Sequence, residues 1–119
     1  IVIVLVLVLG GNKRKVNFGK LYEKYCDPNW SSLAEDKSYL SIDTNPSNYD
    51  DEGLYYPSAY EAVKSINSAL GLPESLNKSI EETSSVDGRM TEEYDDLGIT
   101  VYWTYHPDKG LEITYKYQD

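Results

Sequence analysis

His106 is the only histidine in the chain and Cys26 the only cysteine, so nucleophilic chemistry based on imidazole or thiol rests on these two side chains. Such a pair can hold a thiolate beside a general base. His106, however, directly precedes Pro107 at a hairpin end, where its ring is placed to bond turn groups such as Asp108. Cys26 falls on the edge of an apolar helical stripe, and a thiol among core positions is usually inert. We read both as structural. Adjacent carboxylates recur at Asp50-Asp51-Glu52, Glu81-Glu82, Glu92-Glu93 and Asp95-Asp96. Glycoside hydrolysis instead needs two carboxyls across a cleft, one with a raised pKa. Neighbouring acids in polar segments are ordinary solvated groups, so a small wall-associated hydrolase stands only as a third reading.

One acidic stretch has better spacing. Asp43, Asn45, Ser47, the carbonyl of Tyr49 and Asp51 occupy positions 1, 3, 5, 7 and 9 of a calcium loop. The pattern then departs from that template. Asn48 stands where glycine is expected, Leu54 where a bidentate glutamate is needed, and Pro46 stiffens the loop. Glu52 is the acid able to move in as a replacement ligand. Calcium is therefore the one ion the sequence raises, against the plainer reading of an acidic turn. No Cys/His spacing for zinc and no glycine-rich phosphate loop occurs.

A different kind of site is offered by Thr100, Tyr102, Thr104 and His106, which alternate with the apolar Ile99, Val101, Trp103 and Tyr105. Period-2 alternation is a strand with one face buried and one wet. Tyr102 and His106 among threonines, with Tyr39 near them across the strands, would form a polar face able to bind a protein or a glycan. They are also ordinary strand formers.

The elements that position these residues are legible in outline. Asn17 can cap a helix running to Cys26, with Val16 stapled onto Leu21 and Phe18, Leu21, Tyr22 and Tyr25 on one stripe. Asp27-Pro28 ends it. The segment from Trp30 to Asp36 fits helix or strand. Tyr39–Asp43 reads as a strand with Leu40 and Ile42 inward. Pro57 opens the clearest helix, whose apolar face is Ala59, Ala62, Val63, Ile66, Ala69 and Leu70, closed by Gly71, Leu72 and Pro73. A short helix to about Thr83 follows, buried through Leu76 and Ile80. Ser84–Asp96 reads as loop, with a turn at Asp87-Gly88. The strand from Ile99 turns at Pro107-Asp108-Lys109-Gly110 into a second, with Leu111, Ile113, Tyr115 and Tyr117 on the same face as its partner's apolar set. The expected fold is α+β: an antiparallel sheet of about three strands, including the C-terminal hairpin, with two or three helices on one face.

At 119 residues there is one core and one domain, 16–119. Of its aromatic residues 12 are tyrosine, against 2 Trp and 1 Phe, so many core rings should carry a hydroxyl to the rim. The basic cluster Lys13-Arg14-Lys15 holds three of the 11 cationic residues. The remaining 8 face 20 acids, so residues 16–119 carry about −12 where the whole chain carries −9. That charge disfavours nucleic acid and anionic lipid as partners of the domain.

Residues 1–15 are of another character. Ile1–Leu9 is unbroken Ile, Val and Leu, followed by Gly10-Gly11-Asn12 and the basic triplet. Nine residues cannot span a bilayer. As the end of a longer segment they read as a signal anchor or the apolar region of a signal peptide, with a buried strand as the alternative. Membrane contact is then through this segment only. The basic triplet by itself favours a cytoplasmic domain. The single Cys26 excludes an internal disulfide.

Four stretches, Tyr39-Leu-Ser-Ile-Asp-Thr-Asn-Pro46, Leu70-Gly-Leu-Pro73, Asp87-Gly88-Arg89 and Trp103-Thr-Tyr-His-Pro-Asp-Lys-Gly-Leu-Glu112, together resemble a group of uncharacterised small cell-envelope proteins of Gram-positive bacteria, many of them lipoprotein-like. The likeness spans about residues 16–117. It implies a domain on the extracytoplasmic face and supplies no activity or cofactor. A lipoprotein would carry cysteine just after the apolar run, where this chain has Gly10-Gly11-Asn12, so the expectation is an uncleaved anchor. The expected function is a non-catalytic, membrane-tethered module binding a protein or cell-wall component.

Overall fold

The computed structural model describes residues 15–47 and 57–118. Helix α1 (Phe18–Tyr25) is capped by the Asn17 side chain, which accepts from the Lys20 N–H at 3.0 Å. Eight residues are too few for a helix stable in isolation. Its stability comes from fully buried Phe18, stacked on Tyr117 with ring centroids 4.3 Å apart, and from half-buried Leu21, Tyr22 and Tyr25 against the same core. Burying one such ring contributes about 1.5–3 kcal/mol.

Strands β1 (Ser31–Leu33) and β2 (Tyr39–Asp43) form a hairpin, so the segment left open between helix and strand is a short edge strand. Helix α2 (Pro57–Ala69) buries Ala59, Ala62, Val63 and Ile66 as its period requires, and Ala69, expected on that face, is exposed. Its end is a Schellman motif: the Leu72 N–H donates to the Asn67 carbonyl and the Gly71 N–H to that of Ser68, with Gly71 at φ 72°. Helix α3 (Glu74–Glu82) buries Leu76 and Ile80.

The Ser84–Asp96 segment, expected to be loop, contains a 3-10 turn at Ser85–Asp87 and a strand, β3 (Met90–Tyr94). Met90, Thr91, Glu92 and Glu93 are all exposed. An edge strand with neither face covered has no reason to alternate, so the period-2 signal is missing. Strands β4 (Ile99–His106) and β5 (Gly110–Tyr117) form the expected hairpin with their apolar sets on one face, Trp103 opposite Ile113 and Val101 opposite Tyr115.

The sheet is thus antiparallel with five strands, two more than anticipated, in the order β1-β2-β5-β4-β3. Leu40, Ile42, Ile99, Val101, Trp103, Ile113 and Tyr115 point to one face, packed against the helices in a single core. Two hydrogen-bonded chains run through it. The Tyr115 hydroxyl donates to Asn67 Oδ1 at 2.6 Å, and Asn67 Nδ2 donates to Asn77 Oδ1 at 2.7 Å. Trp103 Nε1 donates to Thr83 Oγ1 at 2.8 Å, whose own proton goes to the Ser79 carbonyl. These bonds fix α2 and α3 against the central strands and leave no buried side-chain polar atom unsatisfied among the described residues. The apolar run 1–9 lies outside the described residues. Among those described, no helix is long and apolar enough to cross a membrane.

Candidate functional site

The helices cover one face of the sheet, and the register defines what the other presents. Tyr102 lies opposite Thr114 on β5 and Thr91 on β3, and Thr114 lies opposite Ser41 on β2. The Ser41 and Thr114 hydroxyls are hydrogen-bonded at 2.8 Å. The next row joins Thr104, Glu112 and Asp43, and the row on the other side joins Glu93, Thr100, Lys116 and Tyr39. Thr100, Tyr102 and Thr104 are half-buried and His106 is exposed, all on this face or at its end. The arrangement is a shallow surface of hydroxyls around one phenol ring.

Tyr39, expected near Tyr102 and His106, is on the same face but in the Thr100 row, two strands away. His106 lies six residues further along β4, about 20 Å from that row. The sheet therefore separates these two rings. A residue missed in the sequence stands where Tyr39 was expected. Arg89, on leaving the Asp87-Gly88 turn, lays its guanidinium over the Tyr102 ring with Cζ 3.8 Å from the centroid. Its sequence signals are the Asp87-Gly88-Arg89 stretch of the resemblance and its place just before a strand that the sequence did not reveal.

The two stretches that carry most of the resemblance, Tyr39–Pro46 and Trp103–Glu112, meet at one end of the sheet. Thr44 Oγ1 accepts from the Leu111 N–H at 2.9 Å and donates to the Leu111 carbonyl at 3.0 Å. Asn45 Nδ2 donates to the Asp108 carbonyl at 2.9 Å. Gly110, at φ 74°, lets this strap approach closely, since a Cβ there would lie 2.9 Å from both Asn45 Cβ and Thr44 Oγ1. His106 Nδ1 accepts from the Asp108 N–H at 3.0 Å, the turn contact expected for a structural histidine.

Of the calcium-loop residues, Asp43 Oδ1 accepts from the Asn45 N–H at 2.9 Å, while Asn45 is buried and Ser47 exposed. Asp51 and Glu52 lie outside the described residues. Asp43 faces Glu112 across the strands. Burial first, and then the neighbouring Asp43 charge, raises the Glu112 pKa. Asp43 is also raised by burial, partly offset by its bond from Asn45. Among the described residues no three His, Cys, Asp or Glu side chains gather to hold a metal.

Cys26 and His106 are not brought together. Cys26 sits beside Ser31 and Tyr115, and burial pushes its thiol up to about 11. His106 pairs with Gly110, five residues back along β5 from Tyr115, or about 16 Å by strand rise. A protonated thiol that far from the imidazole is no nucleophile–base pair. Compared with known protein families, with curated proteins and with solved structures, the chain matches none of them.

Proposed function

We propose that this protein is a non-catalytic binding module, tethered by its N-terminal apolar segment at the extracytoplasmic face, that takes a protein or cell-wall ligand on the open face of its sheet. The observation behind this is the one-sidedness of a five-stranded sheet: helices cover one face, and Thr100, Tyr102, Thr104 and Thr114 are held in register on the other. Tyrosine flanked by short hydroxyl side chains supplies contact area and hydrogen bonds at low conformational cost. Outward-pointing hydroxyls contribute little to the core, so their removal separates binding from folding. The resemblance to envelope proteins is what supports the location. The test is retention of the full chain on isolated cell-wall material, with and without alanine at both Tyr102 and His106. The double variant should lose retention while remaining folded, since the bond given up at His106 is an exposed turn contact. Unchanged retention would sink the reading.

A second reading has one observation in its favour. Asp43, the first residue of the calcium-like spacing, stands directly opposite Glu112, and like charges so placed repel. A divalent ion bound by Asp43, Asn45, Ser47, Asp51 and Glu52 would relieve that repulsion. An ion bound only by the folded state raises its stability, by about 2.7 kcal/mol at a hundred times its dissociation constant. A melting temperature that rises with millimolar calcium, and returns on chelation, is the expected result. No shift at millimolar calcium ends this reading.

A further inference from the structure

The proposed binding face holds two cations, Lys116 and Arg89, and Arg89 is the one laid over a ring. Lys64 and Lys78 are paired with Glu61 and Glu82, and Lys15 donates to the Asp96 carbonyl. The Arg89 side chain, like those of Lys20 and Lys116, has neither an ion pair nor a hydrogen bond among the described residues, although the chain holds 20 acids. Its Cζ lies instead over the Tyr102 ring, 3.8 Å from the centroid. A cation–π contact holds the guanidinium over the ring while leaving its N–H donors unspent, so a ligand meets donors already placed on this face. The neighbours leave room for an approach. Thr91 and Thr114 flank Tyr102 on the two adjacent strands, and Thr104 follows it along β4. None of these short side chains carries charge.

Charge around the fork restricts what can use it. Glu93 and Lys116 lie in the row of Thr100, and Glu112 and Asp43 in the row of Thr104, two residues along and one or two strand spacings across from Tyr102, or about 8–12 Å, so three acids outnumber one lysine. With a net charge of −9 behind them, these acids repel an extended polyanion. A phosphate monoester, at about −1.5 to −2 near neutral pH, meets roughly twice the repulsion felt by a carboxylate of charge −1. A planar carboxylate also matches the guanidinium with two parallel hydrogen bonds.

We propose that Arg89, held on Tyr102, is the anchor for a single carboxylate of a peptide ligand docking on the open sheet face. This deepens the binding-face reading and rests on it for the ligand's access. The fork orients the carboxylate, the flanking hydroxyls bond the adjoining peptide group, and the surrounding acids reject more highly charged competitors.

The test uses the full chain labelled with nitrogen-15, observing the Arg89 Nε–H resonance and the Tyr102 and Thr104 amides at ionic strength held constant with chloride. The probes are N-acetylglycinate, its uncharged amide, and inorganic phosphate. The expected result is a saturable shift at all three positions with N-acetylglycinate and none with the amide. Phosphate should bind more weakly. Arg89→Lys, which keeps the charge and loses the fork, should weaken the carboxylate by about tenfold with an unchanged melting temperature. A linear, unsaturating shift, equal or tighter binding of phosphate, or full retention in Arg89→Lys would each overturn the proposal. If alanine at Tyr102 and His106 abolishes wall retention while Arg89 stays silent, this inference fails and the binding-face reading stands. A saturable carboxylate site in a chain whose wall retention survives that double substitution upholds the inference and removes the wider reading.

Discussion

Gly110 is the residue on which the end of the sheet turns. Its φ of 74° opens β5, and the absence of a side chain admits Thr44 and Asn45 to within hydrogen-bonding distance of Leu111 and Asp108. The two demands are separable by comparison with Gly71, which has φ 72° but nothing within 4 Å of the place a Cβ would take. Alanine at Gly71 bears only the left-handed penalty, about 1–2 kcal/mol. Alanine at Gly110 adds the contacts at 2.9 Å to Thr44 and Asn45 and should cost about 3–4 kcal/mol in all. Denaturant unfolding of the two variants checks the difference; equal losses would mean that the strap yields freely. The same residue scale shows how a site escapes a sequence reading. Tyr102 and the threonines beside it were legible because alternation on one strand assigns their face. Arg89 was not, because its ring partner is set by pairing between β3 and β4, and nothing local in the chain encodes that pairing.

Among the elements, the sequence was most informative where burial is one-sided. Helix α2 and the β4–β5 hairpin each pack one face into the core, so their periods of 3.6 and 2 survive in the residue order. The strap from Thr44 to Asn45 left a weaker trace, because a buried Asn resembles a loop Asn until its partner at Asp108 is known. Strand β3 left none. Glu92 is on the helix-side face, opposite Val101, yet is exposed, and burial, together with the Glu92 charge, raises the Tyr94 pKa. A charge pointing inward on an edge strand is a known guard against pairing with another chain. Valine at both Glu92 and Glu93 should therefore promote self-association, seen as dimers or larger species by size-exclusion chromatography with light scattering. A variant that stays monomeric at high concentration would show that the twist or the turns, rather than these charges, protect the edge. Strand β1, at three residues, is a short edge of the kind that needs no such guard.

For the whole molecule, charge and topology bear on where it works. Residues 16–119 carry about −12, a charge that repels anionic lipid. On the proposed extracytoplasmic placement, protease added to intact cells should remove a C-terminal tag while a cytoplasmic control survives. A tag lost only after lysis would put the domain inside and turn the search to cytoplasmic ligands. The order β1-β2-β5-β4-β3 puts the last strand in the middle of the sheet, and Tyr117 near its end donates to the Val16 carbonyl at 2.6 Å and stacks on Phe18. That clasp has a mechanical meaning. Tension applied to the chain ahead of Val16 meets first this bond and ring stack on a strand that is itself paired on both sides, and not an edge strand. On the proposed tethering, a pull from the N-terminal side reaches the centre of the sheet and not its edge.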